Sequence, residues 1–220
     1  MIIAIDGPAA SGKGTLAKRL AQYFDYAFLD TGKLYRMVGW LQLQDTSLDA
    51  IKATGQLVKM LEQNPDILQD KAIIDQLTTE AVAAKASIVA SIQQVRQLLI
   101  DLQRDFAHHP PQNKQGAVLD GRDIGTVICP DADYKFYIWA SPEVRAKRRF
   151  DELQNKPLQD ASQPVIYDAI LADIKMRDER DMNRAHAPLK VADDAVTIDT
   201  SPLNPNAVFD LALKEISKKI

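Results

Sequence analysis

The residues Met1–Thr15 read MIIAIDGPAASGKGT. The apolar run Ile2–Ile5 passes through Asp6 into a loop bounded by Gly7 and Gly12 and closed by Lys13-Gly14-Thr15. A strand, a glycine-bounded loop and then a helix build a phosphate cradle. Glycine lets the loop curl until successive backbone N–H groups converge on phosphate oxygens. Lys13 adds a mobile positive charge for β- and γ-phosphates, and Thr15 adds a hydroxyl at the start of the helix, whose N-terminus adds a favourable field. The expected ligand is a nucleotide such as ATP, held by Gly7, Pro8, Ala9, Ala10, Ser11, Gly12, Lys13, Gly14 and Thr15. An ordinary glycine turn is the competing reading, and the strand-like run before it weighs against that.

Further strand-like runs follow at Tyr26–Leu29, Ala117–Leu119, Lys135–Trp139 and Ala195–Ile198. Helical patterns fill the intervals at Thr15–Phe24, Gly32–Leu43, Ala50–Asn64, Asp75–Ala90, Ile92–Ala107, Pro142–Gln154, Val165–Asn183 and Asn206–Lys219. Alternating strands and helices predict an α/β fold, a five-stranded parallel sheet flanked by helices. Ligands of such sheets sit at the carboxyl ends of the strands, and Asp6, Asp30, Asp120 and Asp199 each end an apolar run there. The core is expected over residues 1–43 and 108–220. Residues 44–107 lack strand alternation and read as an inserted, mostly helical subdomain, broken at Asn64-Pro65. Ser91 to Gln94 resembles a capping box that starts the last insert helix. The polar, Pro-containing stretch Asn155–Val165 reads as a short lid, at approximately 150–166.

The 220 residues, 46% of them hydrophobic, suffice for one core and a small insert. A net charge of −3 argues against a nucleic-acid groove. Cys129 is the single cysteine, so no internal disulfide forms; with no His or Cys around it, it reads as a structural thiol. No segment has the length of a membrane span, the N-terminus lacks a signal-peptide pattern, and the expectation is a cytoplasmic monomer. The pair His108-His109 reads as an exposed turn.

Three further segments carry charge where chemistry would need it. Asp30-Thr31-Gly32-Lys33-Leu34-Tyr35-Arg36 follows the second strand and presents a hydroxyl and an arginine, with Thr31 as a helix cap the plainer reading. Ala117-Val118-Leu119-Asp120 has the pattern of a strand ending in a carboxylate near a metal or its waters, and Gly121-Arg122-Asp123 turns the chain there; a surface salt bridge is the bland alternative. Arg177, Arg180, Asp181 and Arg184 fall at i, i+3, i+4 and i+7, so one helix face is expected to carry three guanidiniums around one carboxylate. A solvated face is the common explanation, but moving phosphoryl groups need fixed cations and arginine suits them. Arg145, Lys147, Arg148 and Arg149 form a second basic cluster, in which Lys147 reads as solubilising.

Taken together, GPAASGKGT (7–15), DTGKLYR (30–36), LDGRDIGTVICPDAD (119–133), ASPEVRAKRR (140–149), RDERDMNRAHAPL (177–189) and AVTIDTS (195–201) resemble the bacterial-type cytidylate kinases, a nucleoside-monophosphate (NMP) branch of the P-loop kinases. The G-K-G-T ending fits that branch rather than the GTPase switches, and no N-K-x-D base-reading motif is present. The resemblance implies that the insert 44–107 binds the NMP and that Lys13, Arg122, Arg148, Arg177 and Arg184 are catalytic, with Arg148 a lid arginine on the transferring phosphate. It implies that CMP is held by Thr31, Arg36, Ser87, Arg96, Arg122, Asp123, Arg177, Asp181 and Arg184. Ser87 and Arg96 would meet the cytosine edge and the CMP phosphate, while Asp123 and Asp181 would address ribose hydroxyls or orient arginines. Mg2+ would arrive with ATP and its waters, helped by Thr15 and Asp120. The expected reaction is ATP-dependent phosphorylation of CMP and dCMP. A kinase for UMP, AMP or a small metabolite, and a non-catalytic nucleotide switch, are the alternatives. The larger bacterial members carry a small antiparallel sheet in the insert, which this sequence is expected to lack.

Overall fold

The computed structural model describes residues 1–154 and 166–218. Its five strands are β1 (Ile2–Asp6), β2 (Ala27–Asp30), β3 (Ala117–Gly121), β4 (Tyr134–Trp139) and β5 (Val196–Asp199). They pair in the order β2-β3-β1-β4-β5, every pair parallel. All five residues of β1 are buried, as a central strand covered on both faces requires. Side chains alternate across it. Ile3 and Ile5 face helices α1 (Lys13–Phe24) and α9 (Pro205–Ile216), packing on Leu16, Leu20, Val208 and Ala212. Ile2 and Ala4 face the other way, onto Leu119, Ile124, Ile128 and Ala107.

From β1 the chain runs to β2 on one side of the sheet, and from β3 it crosses to β4 on the other. The carboxyl ends of β1 and β3 therefore open onto a crevice at the point where the winding reverses. Asp6 and Asp120 end these two strands.

Between β2 and β3 lie α2 (Thr31–Gln44), α3 (Ala50–Gln63), α4 (Lys71–Leu77), α5 (Glu80–Val89) and α6 (Gln93–His108), with no strand among them. They close a separate apolar core from Leu34, Met37, Val38, Leu57, Val82, Val89, Val95 and Leu99. The expected single helix over Asp75–Ala90 is two. α4 stops at Leu77, and the Thr79 hydroxyl accepts the Val82 N–H at 3.4 Å, which caps α5 and leaves Thr78–Thr79 as the corner. The Ser91 capping box does not form. Its hydroxyl donates to Ile88 O at 2.7 Å, closing α5, and Ile92 occupies the N-cap of α6 without a side-chain cap.

Helix α7 (Pro142–Gln154) follows β4, and α8 (Tyr167–Asn183) precedes β5. The expected lid residues 150–154 belong to α7, and the stretch Asn155–Val165 lies outside the described residues, as do the expected first residue of α8 and the last of α9. Cys129 is buried among Ile2, Ala4 and Ile128, and burial pushes its thiol up to about 11, which leaves it inert. His108 and His109 are both exposed and sit beside Asp131 and Asp105. No described helix is long and apolar enough to cross a membrane.

Candidate active site

The loop between β1 and α1 is held by its backbone. Gly7 has φ 151°, and a Cβ there would lie 2.1 Å from the Ile138 carbonyl oxygen of the neighbouring strand. Gly12 has φ 94°, and a Cβ there would make only ordinary contact, 3.9 Å from Arg148 Nη1, so its glycine answers to conformation. Arg148 and Thr200, both on the cleft wall, brace the loop. The Thr200 hydroxyl donates to Ser11 O at 2.8 Å, and Arg148 donates to the Thr200 carbonyl at 2.7 Å and hydroxyl at 3.1 Å. Arg148 is a residue of α7 at the foot of the loop, with its guanidinium on Thr200 and Ser11 and facing the cleft. Sequence reasoning missed Thr200; the signal was a hydroxyl directly after the Asp that ends β5.

Lys13 places Nζ 3.4 Å from Oδ1 of Asp120 at the end of β3. Burial pushes each group toward its neutral form, Asp120 up and Lys13 down; Arg122 adds to the effect on Lys13, and the ion pair opposes it in both. Gly14, in the first turn of α1, faces that carboxylate: a Cβ would come within 2.9 Å of Asp120 Oδ2. Asp6 is buried with both oxygens accepting backbone N–H groups, from Ile124 and Gly125, at 2.8 Å each.

The opposite wall is made of arginines. The Thr31 hydroxyl donates to Asp120 O at 2.8 Å; Thr31 is the first residue of α2 and does not cap it, the N-cap being Asp30. One turn on, Arg36 donates to Leu77 O at 2.8 Å. From α6, Arg96 pairs with Asp123 and lies 5.5 Å above the Tyr35 ring. Arg184, just past the end of α8, meets the other oxygen of Asp123 at 3.2 Å. Arg122 reaches Asp181 with Nε at 2.9 Å. The adjacent charges of Arg122 and Asp123 therefore turn to different partners, and no Arg122–Asp123 salt bridge forms.

The row on α8 spreads out instead of closing on Asp181. Arg122 holds that carboxylate, 59 residues away in sequence, and the row's arginines go elsewhere: Arg177 to Asp173 at 3.8 Å, Arg180 to the Ser87 hydroxyl at 2.9 Å, and Arg184 to Asp123. Arg36 and Arg177 on the cleft wall are under-compensated. No described carboxylate lies within ion-pair distance of Arg36, and Arg177 has only its long contact with Asp173. Burial makes both charges costly, and proximity to Arg177 for the one and Arg122 for the other adds to it.

The basic cluster of α7 also divides. Lys147 is exposed and pairs with Asp151. Arg149 pairs with Glu80 and Glu152 at the cleft rim, and Arg145 is buried away from the cleft.

One cleft of about 1250 Å³ connects these walls. It is lined by Ala9–Thr15, Thr31, Arg36, Ser87, Arg96, Asp120, Arg122, Asp123, Arg148, Arg177, Asp181 and Arg184, so only Gly7 and Pro8 of the expected site residues stand behind it. The volume exceeds the roughly 300–1,000 Å³ of a single-ligand pocket and leaves room for two nucleotides end to end. Among the described residues no three His, Cys, Asp or Glu side chains converge as a metal cage. The oxygens beside the phosphate loop are the Thr15 hydroxyl and Asp120 Oδ1, which is buried without a hydrogen bond.

Comparison with known proteins agrees with this geometry. A family model described as cytidylate kinase matches residues 3–218. A protein of Rhodospirillum rubrum named cytidylate kinase is 48% identical over 219 residues, covering 100% of this chain and 98% of that one. One of Azorhizobium caulinodans with the same name is 51% identical over 221 residues, covering 99% and 98%. The crystal structure of an uncharacterised protein from Eubacterium ventriosum superposes with a TM-score of 0.58 at 15% identity, covering 99% of this chain and 98% of that one, which bears on the fold alone. With the motifs spread over both walls of one cleft and the match running nearly end to end, the chain belongs to the cytidylate kinase family.

Proposed function

We propose that this enzyme transfers the γ-phosphoryl group of ATP to the 5′-phosphate of CMP, and of dCMP, releasing ADP and CDP or dCDP. The observation that carries the reading is the opposition of a phosphate loop to half-buried, under-compensated arginines, Arg36 and Arg177, across one cleft. A second anion on that wall relieves their mutual repulsion.

The acceptor phosphate is already anionic at neutral pH, so no strong general base is required, and catalysis rests on positioning and charge. The loop 7–15 holds the ATP phosphates. Lys13 follows the charge on the transferring group, with Arg122, Arg177 and Arg184 on the acceptor side and Arg148 bracing the loop. Asp123 orients Arg96 and Arg184, and Asp181 orients Arg122, which keeps these guanidiniums aimed before substrate arrives. Thr31, Arg36, Ser87 and Arg96 all line the cleft, and Ser87 and Arg96 serve the cytosine edge and the CMP phosphate, a hydroxyl and a cation suiting those groups. When bound with ATP, Mg2+ supplies charge neutralisation on the phosphates. It needs few protein oxygens, and the Thr15 hydroxyl and the unbonded Asp120 Oδ1 suit it in type and place. Residues 44–107 act as the acceptor-binding unit. The enzyme acts as a cytoplasmic monomer on free nucleotides; its large exposed apolar residues, such as Tyr23, Ile51 and Met176, sit on separate helices.

The test is coupled ADP release with ATP and Mg2+, offering CMP, dCMP, UMP, AMP and shikimate separately. Fast release with CMP and dCMP alone is expected. Release only with another acceptor overturns the base assignment, and the absence of acceptor-dependent release overturns the kinase reading.

A further inference from the structure

Arg145 is among the most buried large side chains of the molecule, 1% exposed, although it sits in a run of basic residues. It is not part of the cleft wall. All three of its nitrogens donate: Nε to Ala140 O at 2.8 Å, Nη1 to Ala9 O at 3.2 Å and Asp178 Oδ1 at 3.0 Å, and Nη2 to Asp178 Oδ2. One guanidinium thus joins the end of β4, the phosphate loop and α8.

Stability alone does not call for this arrangement. A buried ion pair replaced by apolar residues of similar volume is often neutral or stabilising, whereas the forked, bidentate pair fixes geometry. The places it fixes are informative. The carbonyl of Ala9 and the N–H of Ala10 belong to one trans peptide and point in opposite directions. Holding that carbonyl on the outside turns the Ala10 N–H to the other side, and Ala10 lines the cleft. Asp178 is the neighbour of Arg177 and lies one turn before Asp181 on a rigid helix, so its position sets theirs.

We infer that Arg145 is a positioning residue for phosphoryl transfer: from outside the cleft, it fixes the arginine-bearing face of α8 relative to the phosphate loop. The inference rests on the kinase reading above. The test is the double variant Arg145→Met/Asp178→Leu, which removes both buried charges together, beside Arg145→Lys, which keeps a cation but not the fork. The double variant is expected to melt within about 5 °C of the parent and to turn CMP over at least about tenfold more slowly, since displacements of an ångström in an active site cost up to about a hundredfold. Arg145→Lys carries the same expectation should the double variant not fold. Parental turnover in either folded variant overturns the inference and leaves Arg145 a purely structural group. Mg·ADP affinity by calorimetry separates the two failures. If the parent itself proves inert toward CMP, the acceptor assignment falls, and Arg145 is judged on ADP: about tenfold weaker binding in the variants upholds its role and unchanged binding overturns it.

Discussion

Gly14→Ala sets two effects of known size against each other. Gly14 lies in the first turn of α1, and alanine there gains about 1 kcal/mol of helix propensity. The added Cβ would stand 2.9 Å from Asp120 Oδ2, whereas ordinary contact begins at 3.4 Å, so the carboxylate must retreat by 3.4 − 2.9 = 0.5 Å. The backbone of Asp120 cannot retreat, because β3 is paired on both sides, with Ile5 and with Asp30 in register. The side chain must rotate instead, at roughly 0.5–1.5 kcal/mol for an off-rotamer angle. Propensity and strain nearly cancel, so the melting temperature should stay within about 4 °C of the parent. Activity has no such compensation. The rotation disturbs the 3.4 Å contact between Asp120 and Lys13, and a half-ångström error there is worth about tenfold in turnover. The assay is ADP release with CMP at saturating Mg·ATP beside a thermal melt of the same preparation. Parental turnover with an unchanged melt would refute the placement of Asp120 in the working site; a collapsed melt would refute the energetic balance.

Two further outcomes are expected. Lys13→Ala should lower turnover by at least about a thousandfold while the protein stays folded, because it removes the cation nearest the phosphate loop from a buried site; a variant turning over near the parental rate would exclude Lys13 from the transfer. Asp6 gives stability a pH dependence. Burial pushes its carboxyl up to about 7, against the pull of two backbone N–H groups, so the folded state holds this proton more tightly than the unfolded chain does. Stability should therefore fall as pH rises between about 4 and 7, by at most about 1.4 kcal/mol per pH unit. Urea midpoints at pH 5 and 7.5 should differ less in Asp6→Asn than in the parent, and an equal difference would count against the assignment to Asp6.

The sheet was legible in the sequence because its strands are short, mostly apolar runs, and the runs of β1, β2 and β3 close on an aspartate; the central strands, buried on both faces, need that pattern, while β4 and β5 admit Lys135 and Thr197. The observed ends of β1 to β5 lie within about a residue or two of those expected. The phosphate loop was legible because its function is written into consecutive residues. The acceptor wall was half legible. The residues expected there line the cleft, Ser87 and Arg96 among them, although those two lie in none of the motifs and were named from the family resemblance alone. Their partners were not readable, since Asp181 is held by Arg122 across 59 residues and helix periodicity says nothing about such a contact. Arg145 illustrates the same limit more sharply. In sequence it is one cation of a basic run; only the packing of α7 against α8 and the loop buries it while its neighbour Lys147 stays in solvent. The corner at Thr78–Thr79 was hidden because residues on both sides favour helix, and a single hydroxyl decided where the second one starts.

The strand order has a consequence for how the protein is made. Central strand β1 finds its neighbours only in β3 and β4: Ile2 waits for Ala117, and Ile3 also for Tyr134. During synthesis the five helices between β2 and β3 emerge first, with an apolar core of their own to close. At ribosomal speeds of roughly 5–20 residues per second, the interval is on the order of ten seconds. Throughout it, IIAID is an unpaired strand, apolar except for Asp6, on a nascent chain and open to any other edge it meets. The residues that make the sheet most stable once complete are thus the ones that leave the growing chain most exposed to misassociation, and the demand for chaperone protection should fall once β4 has left the exit tunnel.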